Sequence, residues 1–156
     1  MVSTSTIPAP FTKQQRIGII HLILHRIKNL EQAEMKYIKA LQVPFDGPGG
    51  CIILNATPAA QIQRCQLFAI RERIYQHMED LNYEIEHLRL IDGHLAKEIS
   101  LQVVQAMLQQ LDRLHREHRG YNSLGMVARA LNKEHADSDR EMIHKINRLI
   151  GHYQRF

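Results

Sequence analysis

Apolar side chains recur at alternating steps of three and four along residues 67–91. Leu67, Ile70, Ile74, Leu81, Leu88 and Ile91 carry the series, and His77 and Glu84 occupy its two remaining positions. At 1.5 Å per residue this places the whole series on one stripe of a helix roughly 37 Å long. A stripe so long and narrow is buried only against other helices. The chain is therefore predicted to be all-α, an antiparallel up-down helical bundle of three long helices plus two shorter C-terminal helices, with coiled-coil-like seams.

The same pattern divides the rest of the chain. Residues 1–11, rich in Ser, Thr and Pro, read as a flexible N-terminal tail, and residues 12–156 as a single helical-bundle domain. Thr12 is placed to cap a first helix running to about Val43. Its stripe is Ile20, Ile23, Ile27, Leu30, Glu34, Tyr37 or Ile38, and Leu41, and Pro44 and Gly47–Gly50 stop it. Thr57 as cap and Pro58 as first helical residue open a second helix, which runs to about Ile91. Asp92-Gly93 marks a turn. A third helix follows over His94–His118, with Ile99, Val103, Val104, Met107, Leu108, Leu111 and Leu114 inward; so broad a face predicts the most central helix. Ser123 is placed to cap a short fourth helix to about Lys133. Asp137 or Ser138 caps the last, whose stripe is Met142, Ile143, Ile146, Leu149, Ile150 and Tyr153.

One apolar run falls outside the helical series. Cys51, Ile52, Ile53 and Leu54 lie in the loop after Gly50, too short to predict a strand and with no partner strand in view. Such a run either folds down as a plug on the bundle or docks a partner, for instance by adding to a sheet edge.

Charge and cysteine content narrow the setting. The net charge is +4, but residues 1–43, 44–111 and 112–156 carry +4, −3 and +3, which makes the first two segments complementary neighbours. A nucleic-acid binder is usually more one-sided. The chain is histidine-rich, with 10 histidines, so its surface potential responds to pH between about 5 and 7. Two cysteines without CxxC spacing form neither a disulfide framework nor a zinc site, and they fit a reducing, cytoplasmic compartment. No apolar stretch is long enough to span a membrane.

Chemistry is expected where polar residues fall on buried stripes, at Glu34, His77 and Glu84. A bare charge there costs several kcal/mol, roughly, unless it is paired. Glu84-x-x-His87 and Glu141-x-x-His144, with Glu31 or Glu34 and Glu98, have the residue types of a carboxylate-bridged di-iron bundle. Level counting opposes that reading. Glu34 lies about 14 Å and Glu84 about 39 Å from the loop joining their helices, roughly 25 Å apart in an antiparallel hairpin. The same counting brings Glu34 level with residue 67, near Arg64 and Arg71, either of which would relieve its burial. It also brings His25 level with His77, a pair that would weaken the hairpin on acidification if both faced inward.

Residues 123–150 have the outline of a helix-turn-helix, with Arg129, Lys133, Arg140, Lys145 and Arg148 available for phosphates. Asp137, Asp139 and Glu141 crowd the front of the would-be recognition helix. No phosphate-binding loop and no nucleophile setting is recognisable. The reading favoured is a non-enzymatic protein–protein interaction module: an adaptor, chaperone-like binder, inhibitor or regulatory subunit. It would use no cofactor and no metal; it would dock a partner through Cys51–Leu54, or pair with another chain or a second copy through the exposed stripes of its long helices. The alternatives are a nucleic-acid-binding regulator and, behind it, a metal-dependent oxidase.

Overall fold

The computed structural model describes residues 11–44, 51–53, 58–122 and 133–153. Among them are four helices, α1 (Lys13–Leu41), α2 (Pro58–Ile91), α3 (Gly93–Asn122) and α4 (Lys133–Tyr153), and two short strands, β1 (Gln42–Pro44) and β2 (Cys51–Ile53). The short helix expected from Ser123, the N-terminal tail up to residue 10, and Leu54 lie outside the described residues.

Ion pairs between helices show how they run. Lys13 Nζ meets Asp92 Oδ2 at 3.4 Å, Arg16 Nη1 meets Glu84 Oε2 at 2.7 Å and Arg71 Nε meets Glu34 Oε2 at 3.0 Å, so α1 and α2 are antiparallel. Lys145 Nζ lies 3.7 Å from Glu72 and His152 Nε2 lies 2.8 Å from Glu86, so α4 runs parallel to α2. The ends are capped by local chemistry. The Gln15 amide donates to Thr12 Oγ1 at 3.2 Å and the Thr12 amide to Gln15 Oε1 at 2.9 Å, a reciprocal capping box. Asp92 both ends α2 and starts α3: its carboxylate accepts the Leu95 amide at 3.1 Å, and that hydrogen bond is the chief reason its pKa lies below the usual carboxylate value.

One apolar core joins the four helices, and α2 packs against each of the others. Its buried seam is Arg64, Leu67, Arg71, Ile74, Met78, Leu81, Ile85 and Leu88, with Glu84 buried beside Ile85. The expected stripe shares Leu67, Ile74, Leu81 and Leu88 with this seam, but its alternate positions are displaced by one residue. Ile70 and His77 are half-buried, and Ile91 is 51% exposed. Both series fit a helical repeat; the real one buries two guanidinium groups, Arg64 and Arg71, which apolar patterning alone disfavours. Leu81 is fully buried in this seam. Leu81→Ala should lower the free energy of unfolding by about 2–5 kcal/mol, read from urea titration, because the lost contacts leave a cavity.

Other expectations are corrected. Cys51, Ile52 and Ile53 do form a strand, and its partner is the segment expected to end the first helix. Gln42 pairs with Ile53, Val43 with Ile52 and Pro44 with Cys51, antiparallel. Pro44 biases the residue before it away from helix, and Val43 is β-branched, so the chain leaves α1 at Leu41 and extends. A strand in a two-stranded ribbon has an open edge, where proline is tolerated. In α3, Val104 is half-buried and Leu108 exposed rather than both inward. The last helix begins at Lys133, so Asp137 and Ser138 lie within it and are not its cap.

Candidate functional site

At the level of Arg71 the four helices converge on charge rather than on oil. Arg71 is 1% exposed and projects from the α2 seam, two turns after Arg64. Its three nitrogens meet acids from the three other helices. Nε donates to Glu34 Oε2 of α1 at 3.0 Å, Nη1 donates to Asp139 Oδ1 of α4 at 2.5 Å, and Nη2 donates to Glu117 of α3. Glu34 Oε2 also accepts from Gln110 Nε2 at 2.7 Å, while Arg113 Nε approaches Glu34 Oε1 at 3.5 Å and its Nη2 pairs with Glu31 at 3.0 Å. His135, one turn before Asp139 on α4, is fully buried and sets Nε2 2.5 Å from Glu117 Oε1. The Phe68 ring packs edge-on against its imidazole at 5.3 Å.

The electrostatics follow from three carboxylates sharing one guanidinium. Burial alone would lower the pKa of Arg71, but Glu117, Asp139 and Glu34 reverse that and raise it, so the side chain stays charged. Burial opposes the ionised form of Glu117; Arg71 and His135 overcome it and hold the pKa at about 2. Asp139 goes the other way. Burial, reinforced by the charges of Glu117 and Glu34, raises it to about 8 against the pull of Arg71. Its Oδ2 has no hydrogen-bond partner among the described residues, which suits an oxygen that carries a proton. Burial lowers the pKa of His135, with Arg71 and Arg64 adding to the effect and Glu117 opposing it. At neutral pH the knot is held by an ionised Arg71–Glu117 pair, a protonated Asp139 and a neutral His135.

Glu117, His135 and Asp139 each offer a ligand atom, all within 4.8 Å of one another. Such a set suits a divalent cation in type. In this geometry, however, the Arg71 guanidinium lies between them, with Nη1 2.5 Å from Asp139 and 3.3 Å from His135 Nε2. A fixed positive charge stands where a cation would bind.

The di-iron set is not brought together. Glu34 goes to Arg71, Glu84 to Arg16, Glu31 to Arg113 and Glu98 to His94, and Glu141 and His144 are exposed. His77 is half-buried with Nδ1 3.7 Å from Asp80, while His25 is exposed, so the two histidines do not both face inward. Of the proposed phosphate contacts, Arg129 lies outside the described residues. Lys133, Arg140 and Arg148 are exposed. Lys145 instead turns to α2, 5.2 Å from the Tyr75 ring centre and beside Glu72, and Asp139 is wholly interior rather than at a groove-facing front.

A second feature lies on the outside of α3. Leu101 is 70% exposed and Leu108 49% exposed, with half-buried Val104 between them on the same face. Sequence periodicity alone counted Val104 and Leu108 as core, because α3 carries two adjacent apolar series. The inner one, Ile99, Val103, Met107, Leu111 and Leu114, is buried in the bundle, and of the outer one Val104 packs against the edge of that core. No protein-family model, no curated protein and no solved structure matches the chain.

Proposed function

We propose that this protein is a non-enzymatic protein–protein interaction module that binds through the outer face of α3. The observation that carries this reading is the Leu101–Val104–Leu108 stripe, which leaves two leucines in water on the outer face of α3. Burying one such side chain against a partner yields about 1.5–3 kcal/mol, and contiguous exposed apolar surface marks interaction sites. The interior supports the same reading, since its one concentration of titratable groups among the described residues is closed around Arg71. Cys65 is an exposed free thiol, which fits the reducing, cytoplasmic setting expected for such a module. No helix among the described residues is long and apolar enough to cross a membrane.

Site-specific photo-crosslinking in cells tests the reading. A photoreactive side chain at position 101 should give covalent adducts with a protein chain, and the same group at exposed Arg73 on α2 should not. Absence of adducts at 101 would refute the proposal.

A further inference from the structure

We infer that the α3 face is built to pair with the α3 face of a second copy of this chain, antiparallel, about a two-fold axis passing between Val104 and Gln105. This deepens the interaction reading above and rests on it.

The first ground is spacing. His94, Lys97, Leu101, Val104, Leu108, Leu111 and His115 follow one another at alternating steps of three and four, the repeat of a helix-pairing seam. The stripe runs beside the face that enters the bundle and spans about 32 Å. Leu111, at its margin, is already buried in the chain's own core.

The second ground is symmetry. A closed two-fold contact is isologous: whatever stands a given distance before the axis meets what stands the same distance after it. Leu101 and Leu108 are equidistant from the midpoint between Val104 and Gln105. So are Lys97 and Asp112, and so are His94 and His115. An antiparallel pair therefore sets Leu101 against Leu108 twice and Lys97 against Asp112 twice. A parallel pair would set Lys97 against Lys97 and Asp112 against Asp112.

The third ground is exposure. Lys97 is exposed and has no ion pair among the described residues. Asp112 is half in water and pairs with Arg116 one turn on in its own helix. A partner of unrelated sequence would not require this one face to complement itself in both oil and charge.

The test uses the purified full chain in sedimentation velocity over a wide concentration range, with far-UV circular dichroism as the control for folding. The wild type should sediment as a dimer. Leu101→Glu, on an exposed position, should keep its helicity and sediment as a monomer. Lys97→Asp sets acid against acid at both symmetric contacts and should weaken the dimer about ten- to thirtyfold. Adding Asp112→Lys to it re-creates both pairs with the signs exchanged and should restore the dimer. A wild type that stays monomeric overturns the inference, as does a dimer indifferent to Leu101→Glu or a double exchange that fails to recover. A monomer that still cross-links through position 101 to a different protein in cells would overturn self-pairing and leave the interaction reading standing.

Discussion

Replacing Arg71 with methionine should destabilise the fold by about 3–5 kcal/mol at neutral pH, a large share of the roughly 5–15 kcal/mol that holds a domain together. Methionine fills most of the volume, so the loss is electrostatic rather than a cavity. Glu34, Asp139 and Glu117 each lose a charged hydrogen bond at once, and Glu34 and Asp139 lie where water cannot replace it. Glu34 keeps Gln110 and Arg113, and Glu117 keeps His135, so the deficit is largest where they relied on Arg71 together. Urea unfolding followed by circular dichroism gives the number. Changing the three acids to their amides in the Arg71→Met background should recover much of the loss, because the repulsion then vanishes. A single variant that unfolds within about 1 kcal/mol of wild type would mean that the knot contributes only what a surface pair does.

The second expected result concerns pH. Asp139 faces Arg71, Glu117, Glu34 and His135, and its carboxyl is raised from 3.8 to about 8. An acid raised on folding binds its proton more tightly in the folded chain. Its contribution to stability is complete below 3.8 and is lost as pH climbs through about 8. His135 and Glu117 have the opposite sense. Both are lowered on folding, so their contributions are present at higher pH and are lost as pH falls, through 6.5 for His135 and from 4.5 toward about 2 for Glu117. Above 6.5, Asp139 is the member of this trio still titrating, and stability should fall by up to about 1.4 kcal/mol per pH unit. Asp139→Asn should flatten that alkaline slope, since asparagine resembles the protonated acid and can still accept from Arg71. It should match wild type only near pH 4, where the unfolded acid is also protonated, and should already be the more stable chain at pH 6. Thermal midpoints of both chains from pH 6 to 9 decide the matter; parallel curves would show that Asp139 is ionised throughout.

Helical architecture was legible because it depends on spacing, and a three-four alternation survives an error of one residue in phase. Counting levels from the α1–α2 connection also brought Glu34 to Arg71, because rise per residue is constant in a helix. Legibility failed where burial depends on partners distant in sequence. Periodicity alone does not put Arg71 on the buried stripe, because the apolar frame of Leu67, Ile74 and Leu81 admits either residue 70 or residue 71 between its members. Only acids on three other helices choose between them. Asp139 and His135 were missed for a related reason. They continue the stripe of Met142, Ile146 and Tyr153 backward, but both are polar, so apolar patterning starts the helix after His135 and puts the acid at its front. The usable signal was present: His135 and Asp139 stand one turn apart and continue the series of Met142 and Ile146 at steps of four and three. The strand at Cys51–Ile53 was hidden because its partner had been counted as helix. The outer stripe of α3 was hidden because an apolar residue that faces water looks like core until the neighbours are known.

The two buried ion-pair levels of the α1–α2 hairpin, Arg16–Glu84 and Arg71–Glu34, also dictate alignment. A seam of Ile, Leu and Met looks much the same after a slip of one heptad, so oil alone leaves these rods free to slide past each other by about 10 Å. Slippage in one direction would slot Arg64 among the three acids, but it would drive Arg71 into the oily layer of Met78 and part Glu84 from Arg16. Slippage in the other would press Met78 onto bare carboxylates. With one key near each end of the hairpin, a single sliding position satisfies both, and a chain whose greasy stripe is nearly uniform acquires a unique vertical setting.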